Sequence, residues 1–170
     1  MNHIKQSNQW NCGSACLAMV LDYPSCEAVE KAFNRHPDAQ IPEVAPYNEG
    51  HANLGWSVSE IQLALWAEGF RFVEFLMVHP DLDKLQDDAT RLQWWGRAKG
   101  NILTMPEDEL EGYLDSCNHA VIAAVESAPG KKHWTVLHQR MNYDPLKENP
   151  QPFGPHTPVL LTGLSVIVEL

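Results

Sequence analysis

The run His119 to Glu126, HAVIAAVE, is apolar at almost every position. It reads as a strand buried on both faces, and it sets the last third of the chain as a sheet. His133 to His138 (HWTVLH) follows as a second strand after the turn Ala128-Pro129-Gly130-Lys131. A short reversal leads to a third strand at Tyr143-Asp144-Pro145. Leu146 to Pro158, rich in proline and polar residues, reads as a loop, and Val159 to Leu170 closes the sheet as a strand or strand pair interrupted at Gly163.

The earlier part of the chain has helical periods. Ala15, Cys16, Met19 and Val20 mark one buried face of a helix that starts at Cys12. After the turn Tyr23-Pro24-Ser25, Ser25 caps a second helix with Glu27 in its first turn, running to about Asn34. From His36 to Gly55 the periodicity dissolves into a Pro- and Gly-punctuated loop. Ser57-Val58-Ser59-Glu60 is a capping box that opens a helix stopped by Gly69. Phe70 to Val78 reads as a strand, Asp81 to about Ala98 as a charged amphipathic helix, and Asn101 to Met105 as a short extended piece. Pro106 then opens a helix whose first turn carries Glu107, Asp108 and Glu109. Helices lead and sheet follows, so the expected class is α+β, with N-terminal helices packed on a C-terminal antiparallel sheet. At 170 residues and 44% hydrophobic content, residues 1–170 suit a single domain.

The functional reading starts from Gln6 to Tyr23, QSNQWNCGSACLAMVLDY. Cys12 stands where the helix begins, followed by the small residues Gly13, Ser14 and Ala15. A thiol there meets unpaired backbone N–H groups and the positive end of the helix dipole, which favour thiolate and so make a nucleophile. A cysteine nucleophile needs a base, a group to orient the base, and donors for the oxyanion. Among eight histidines, His133 begins a strand that is followed at once by a returning strand carrying Asp144. Pairing of 133 with 144 would bring the two side chains onto one face, with Asp144 accepting from one imidazole nitrogen and the other left for the thiol. The turn between these strands has no Gly or Asn, and a register slip would put Asn142 in place of Asp144. Gln6, six residues before the cysteine, could donate its amide to the oxyanion together with the Cys12 N–H. Trp10, Gly13 and Trp134 flank these residues and are the expected substrate contacts. Cys16 reads as helix core.

These residues resemble a known family. Gln6, Cys12-Gly13, Cys16 and the LAMVL helix are similar to the N-terminal motif of papain-like cysteine peptidases, most of all the bacteriocin-leader-processing (double-glycine) peptidases. The order HAVIAAVE, HWTVL, NYDP resembles the histidine and Asp-Pro strands of the same family. Asn53 to Phe72 also resembles the helical region of Josephin-type deubiquitinases, which share the papain-like core. The resemblance implies a papain-like fold and a peptidase in which Cys12 is the nucleophile, His133 the base, Asp144 the orienting acid and Gln6 the oxyanion donor. It implies a peptide or protein substrate, such as a leader-type or ubiquitin-like tail. An acyl transferase on the same fold and a non-catalytic module that binds a peptide or protein are the alternatives.

Composition narrows the partners. A formal charge of −10 and a pI near 5.1 disfavour nucleic acid. The start MNHIKQ lacks the apolar core of a signal peptide, and no apolar run reaches membrane-spanning length. The four cysteines form no CxxC pairs, and no His or Cys pair has the usual short spacing of a zinc site. The expectation is a cytoplasmic protein with free thiols, no metal and no cofactor.

Overall fold

The computed structural model describes residues 1–8, 10–33, 55–70, 74–78, 102–116, 118–128, 131–153 and 165–170. The expected loop at 36–54, the helix at 81–98 and the chain at 154–164 lie outside the described residues.

Three helices come first: α1 (Cys12–Leu21), α2 (Cys26–Ala32) and α3 (Val58–Ala67). Their boundaries follow local chemistry. Ser25 accepts the N–H of Ala28 and so caps α2. Ser57 and Glu60 form the reciprocal capping box of α3. At the other end of α3, Gly69 takes φ +93°. The N–H of Phe70 reaches the Leu65 carbonyl at 3.0 Å and that of Gly69 reaches Trp66 at 3.0 Å, the paired bonds of a Schellman stop.

Among the described residues seven strands form one sheet: β1 (Glu74–Val78), β2 (Ile102–Met105), β3 (His119–Ala128), β4 (Lys131–His138), β5 (Met141–Tyr143), β6 (Gln151–Pro152) and β7 (Ser165–Glu169). Their order is β2-β1-β7-β3-β4-β5-β6. The class is α+β as expected, but the sheet is not wholly antiparallel, because β1 and β2 run parallel. A parallel pair requires a crossover connection of a dozen or more residues, and the chain between Val78 and Ile102 supplies that length. The helix expected from Pro106 also begins differently, as a 3-10 turn (Glu107–Glu109) that leads into α4 (Leu110–Ser116).

The continuous apolar run of β3 has the predicted reason. Its residues alternate between two cores. Ala120 and Ile122 join Val136, Val166 and Val168 beneath Cys16, Leu17, Val29, Ile61 and Leu65 of α1 to α3. Val121, Ala123 and Val125 join Leu137, Ile167 and Leu76 against Leu110 and Leu114 of α4 and its lead-in. The register agrees: Ile122 faces Val136 and Val166, while Val121 faces Leu137 and Ile167. Helices therefore cover both faces of the central strands.

The reversal between β4 and β5 is a two-residue turn, with Gln139 at φ 47° and Arg140 at φ 60°. Positive φ at both central residues is the geometry that matches strand twist in tight hairpins, although it is one that favours Asn and Gly. The Arg140 side chain is anchored outside the turn by Asp115, which it meets in a forked pair (Nε to Oδ1, 2.9 Å), and by Glu111. Gln139 is exposed and has no such anchor. Gln139→Gly should therefore stabilise the fold by about 0.5–1 kcal/mol by removing the left-handed strain, read as a raised midpoint in urea denaturation.

Candidate active site

Cys12 is the first residue of α1 and is buried, 7% exposed. The buried Asn11 precedes it at the N-cap, yet makes no side-chain cap bond to the helix. Its Oδ1 instead accepts the N–H groups of Ser7 (3.1 Å) and Asn8 (3.2 Å), and its Nδ2 donates to the Ser7 hydroxyl (2.8 Å). The loop that carries Gln6 toward Cys12 is thus folded around one amide.

The close approach of Trp56 fixes the start of α1. A Cβ at Gly13 would lie 2.5 Å from the Trp56 Cβ and 2.7 Å from its Cγ. The Trp56 indole N–H donates to the Ser14 hydroxyl at 2.7 Å, and Ser14 donates in turn to Glu30 at 2.9 Å. The Trp134 indole donates to the Trp56 carbonyl at 2.7 Å. Phe33 meets the Trp56 ring edge-on, with centroids 6.0 Å apart. Trp56 therefore joins the helix that bears Cys12 to the strand that bears His133.

His133 is 6% exposed, and its Nε2 lies 2.8 Å from Asp144 Oδ1. The pairing is diagonal rather than direct. Val136 faces Tyr143 and Leu137 faces Asn142, so the register, continued one step, sets Asp144 opposite Thr135. The direct 133–144 pair expected from sequence is corrected by two residues, and the imidazole spans the diagonal. Asn142, the alternative orienting group, accepts from the Thr135 hydroxyl instead. The same Asp144 oxygen accepts the N–H of Leu146 at 2.9 Å, an Asx-type turn that holds the carboxylate in place.

Burial disfavours an imidazolium at His133. The hydrogen bonds with Asp144 and with the Cys12 thiol, and the charges of both, outweigh it and push the pKa up to about 9. Asp144 shows the mirror balance: burial would raise its pKa, but the His133 hydrogen bond, the Leu146 N–H and the charges of His133 and Lys147 hold it below the ordinary aspartate value. With Nε2 on Asp144, Nδ1 is the nitrogen left for the thiol. Cys16, one turn along α1, is fully buried, and that burial, with the charge of Cys12 next, pushes its thiol well above the usual range.

The remaining expected residues divide. The Gln6 backbone N–H donates to the Pro145 carbonyl at 3.1 Å, which sets Gln6 beside the Asp144 turn. Its side-chain amide donates to the Asn8 carbonyl at 2.8 Å, and its Oε1 is buried with no hydrogen-bond partner among the described residues. Lys5 pairs with Glu148, and His3 Nε2 lies 3.1 Å from the Lys147 carbonyl, extending this tie. Trp10 is 45% exposed. Trp134 is half-buried and engaged with Trp56, and the face of Gly13 that a side chain would occupy is covered by the same ring. Sequence reasoning missed Asn11 and Trp56 as organisers. The signals were an ideal cap residue directly before Cys12, and a tryptophan directly before the α3 capping box.

Among the described residues no three His, Cys, Asp or Glu side chains are grouped as a metal site, Cys12, Cys16 and Cys26 are free thiols, and no helix is long and apolar enough to cross a membrane. No family model, curated protein or solved structure matches the chain.

Two outcomes follow from this geometry. Gly13→Ala forces its Cβ into Trp56 and should cost about 1–3 kcal/mol in denaturant titration, with a parallel loss of reactivity at Cys12. The folded pKa of His133 is above its unfolded value, so its stabilising contribution is complete below about pH 6.5 and is lost as pH rises through about 9. The stability gap between the wild type and His133→Gln should therefore narrow across that interval in denaturation curves.

Proposed function

We propose that the chain is a cysteine hydrolase of peptide or isopeptide bonds, acting through Cys12, His133 and Asp144. The observation that carries this reading is the buried imidazole of His133, on a strand packed against the helix that begins at Cys12 and hydrogen-bonded at 2.8 Å to the Asp144 carboxylate. A cation held between an orienting acid and a nucleophile is the arrangement that acyl transfer through sulfur requires.

In the proposed reaction His133, as imidazolium, pairs with the Cys12 thiolate. The sulfur attacks the carbonyl carbon, and the C=O π electrons move onto oxygen. The N–H groups at the start of α1 and the Gln6 amide receive that charge. The tetrahedral intermediate collapses, the C–N bond breaks, and His133 gives its proton to the leaving amine. Water then attacks the thioester while His133 takes its proton, and breakdown releases the carboxylate product and regenerates the Cys12–His133 pair.

The order of elements, a helix-borne cysteine ahead of a histidine strand and an aspartate turn, supports the papain-like arrangement that the motifs resemble. A protein tail, leader-type or ubiquitin-like, is the proposed substrate, and the free thiols suit a reducing, cytoplasmic setting.

Reaction with p-nitrophenyl acetate tests the chemistry. The wild type should give a burst of nitrophenolate with acetyl on Cys12, Cys12→Ala should give none, and Asp144→Ala should slow acylation by on the order of 10²–10⁴-fold. A burst that survives Cys12→Ala would sink the reading. With activated peptide substrates, product analysis in the presence of added amines separates hydrolysis from acyl transfer.

A further inference from the structure

Asn11 is the residue type best suited to cap α1, and it does not cap it. Its side chain, in a residue 3% exposed, makes three hydrogen bonds to Ser7 and Asn8. The first intrahelical bond is from the Ala15 N–H to the Asn11 carbonyl, at 3.0 Å. The N–H groups of Cys12, Gly13 and Ser14 therefore have no acceptor within the helix and none from the cap side chain. They belong to the residue that bears the thiol of the proposed reaction and to the two that follow it. The bonds that divert the carboxamide also shape the loop on which Gln6 approaches, since Ser7 and Asn8 directly follow it and the Gln6 amide rests on the Asn8 carbonyl.

From these contacts we infer that Asn11 is a positioning residue for the oxyanion. By turning its amide back onto residues 7 and 8 it fixes the Gln6 loop and keeps the first-turn N–H groups of α1 open to the negatively charged oxygen of the tetrahedral intermediate. This rests on the cysteine-hydrolase reading. An ordinary N-cap side chain would turn toward the helix, accept the N–H of Gly13 or Ser14, and leave residues 7 and 8 unheld. Asn11 has the reverse assignment: it serves the loop and leaves the helix end unsatisfied until an acyl group arrives.

The test separates two reactions of one thiol. Alkylation by iodoacetamide displaces iodide at a saturated carbon and builds no oxyanion, so it reads nucleophile and access alone. Acylation by p-nitrophenyl acetate passes through an oxyanion. Asn11→Ser keeps a good helix cap but cannot span to both loop N–H groups, and its hydroxyl is free to cap α1. It should lower the acylation rate by about 10²-fold while alkylation stays within about twofold of wild type, as expected for loss of an oxyanion donor.

Equal losses in both reactions or unchanged acylation in Asn11→Ser would each overturn the role of Asn11. Cys12→Ala, run alongside, keeps the two claims apart. If its burst persists, the hydrolase reading itself fails. If its burst is lost while Asn11→Ser acylates normally, only the inference about Asn11 falls.

Discussion

The architecture depends on one contact, the Trp56 ring lying on the bare backbone of Gly13. An indole cannot approach a helix this closely where a side chain stands, and a buried indole N–H needs a partner. Gly13 answers the first requirement and the Ser14 hydroxyl the second. The Trp56 carbonyl then takes the Trp134 indole, so the first turn of α1, the approach to α3 and the start of β4 are held to one another through a single residue. Cys12 and His133 sit directly beside these attachment points. Their spacing is inherited from packing rather than from any direct bond between their backbones.

The same neighbourhood separates two thiols that are one helical turn apart. Cys12 stands at the helix end, where its thiol helps to raise the pKa of His133. Cys16 lies fully buried among apolar side chains, where an anion would be unsolvated, and its thiol is held protonated. Position along α1 decides which sulfur has a chemical partner. Around His133 the low-dielectric surroundings act in both directions: they disfavour an isolated cation, and they strengthen its attraction to Asp144 and Cys12.

Much of this was legible in the sequence because it was local. The Ser57–Glu60 capping box, the stop at Gly69 and the two-sided burial of HAVIAAVE each depend on a few neighbouring residues, and each appears as read. The parallel pairing of β1 with β2 was not legible, since strand direction is settled by a connection and not by composition. The Gln139-Arg140 turn was hidden for a different reason. Its residues do not prefer positive φ, and Arg140 is anchored from α4, far away in sequence. That turn sets the register, so the diagonal geometry of His133 and Asp144 was hidden with it. Cys12, His133 and Asp144 could be singled out, but Asn11 and Trp56 could not be given their parts, because both act through contacts that no periodicity records.

The segment leading to Cys12 is tied along the turn after Asp144, by the Gln6 N–H on Pro145, by His3 on Lys147 and by Lys5 on Glu148. The last two join residues 144 and 143 positions apart. Contacts of such separation carry a loop-closure cost that local contacts do not. On the proposed reading, a chain in which these ties have not formed has Cys12 without His133 and Asp144 in place beside it. Assembly of the sheet would then act as a safety catch, withholding sulfur chemistry from nascent and unfolded molecules, and from the exposed backbone around them, until the two distant segments have met.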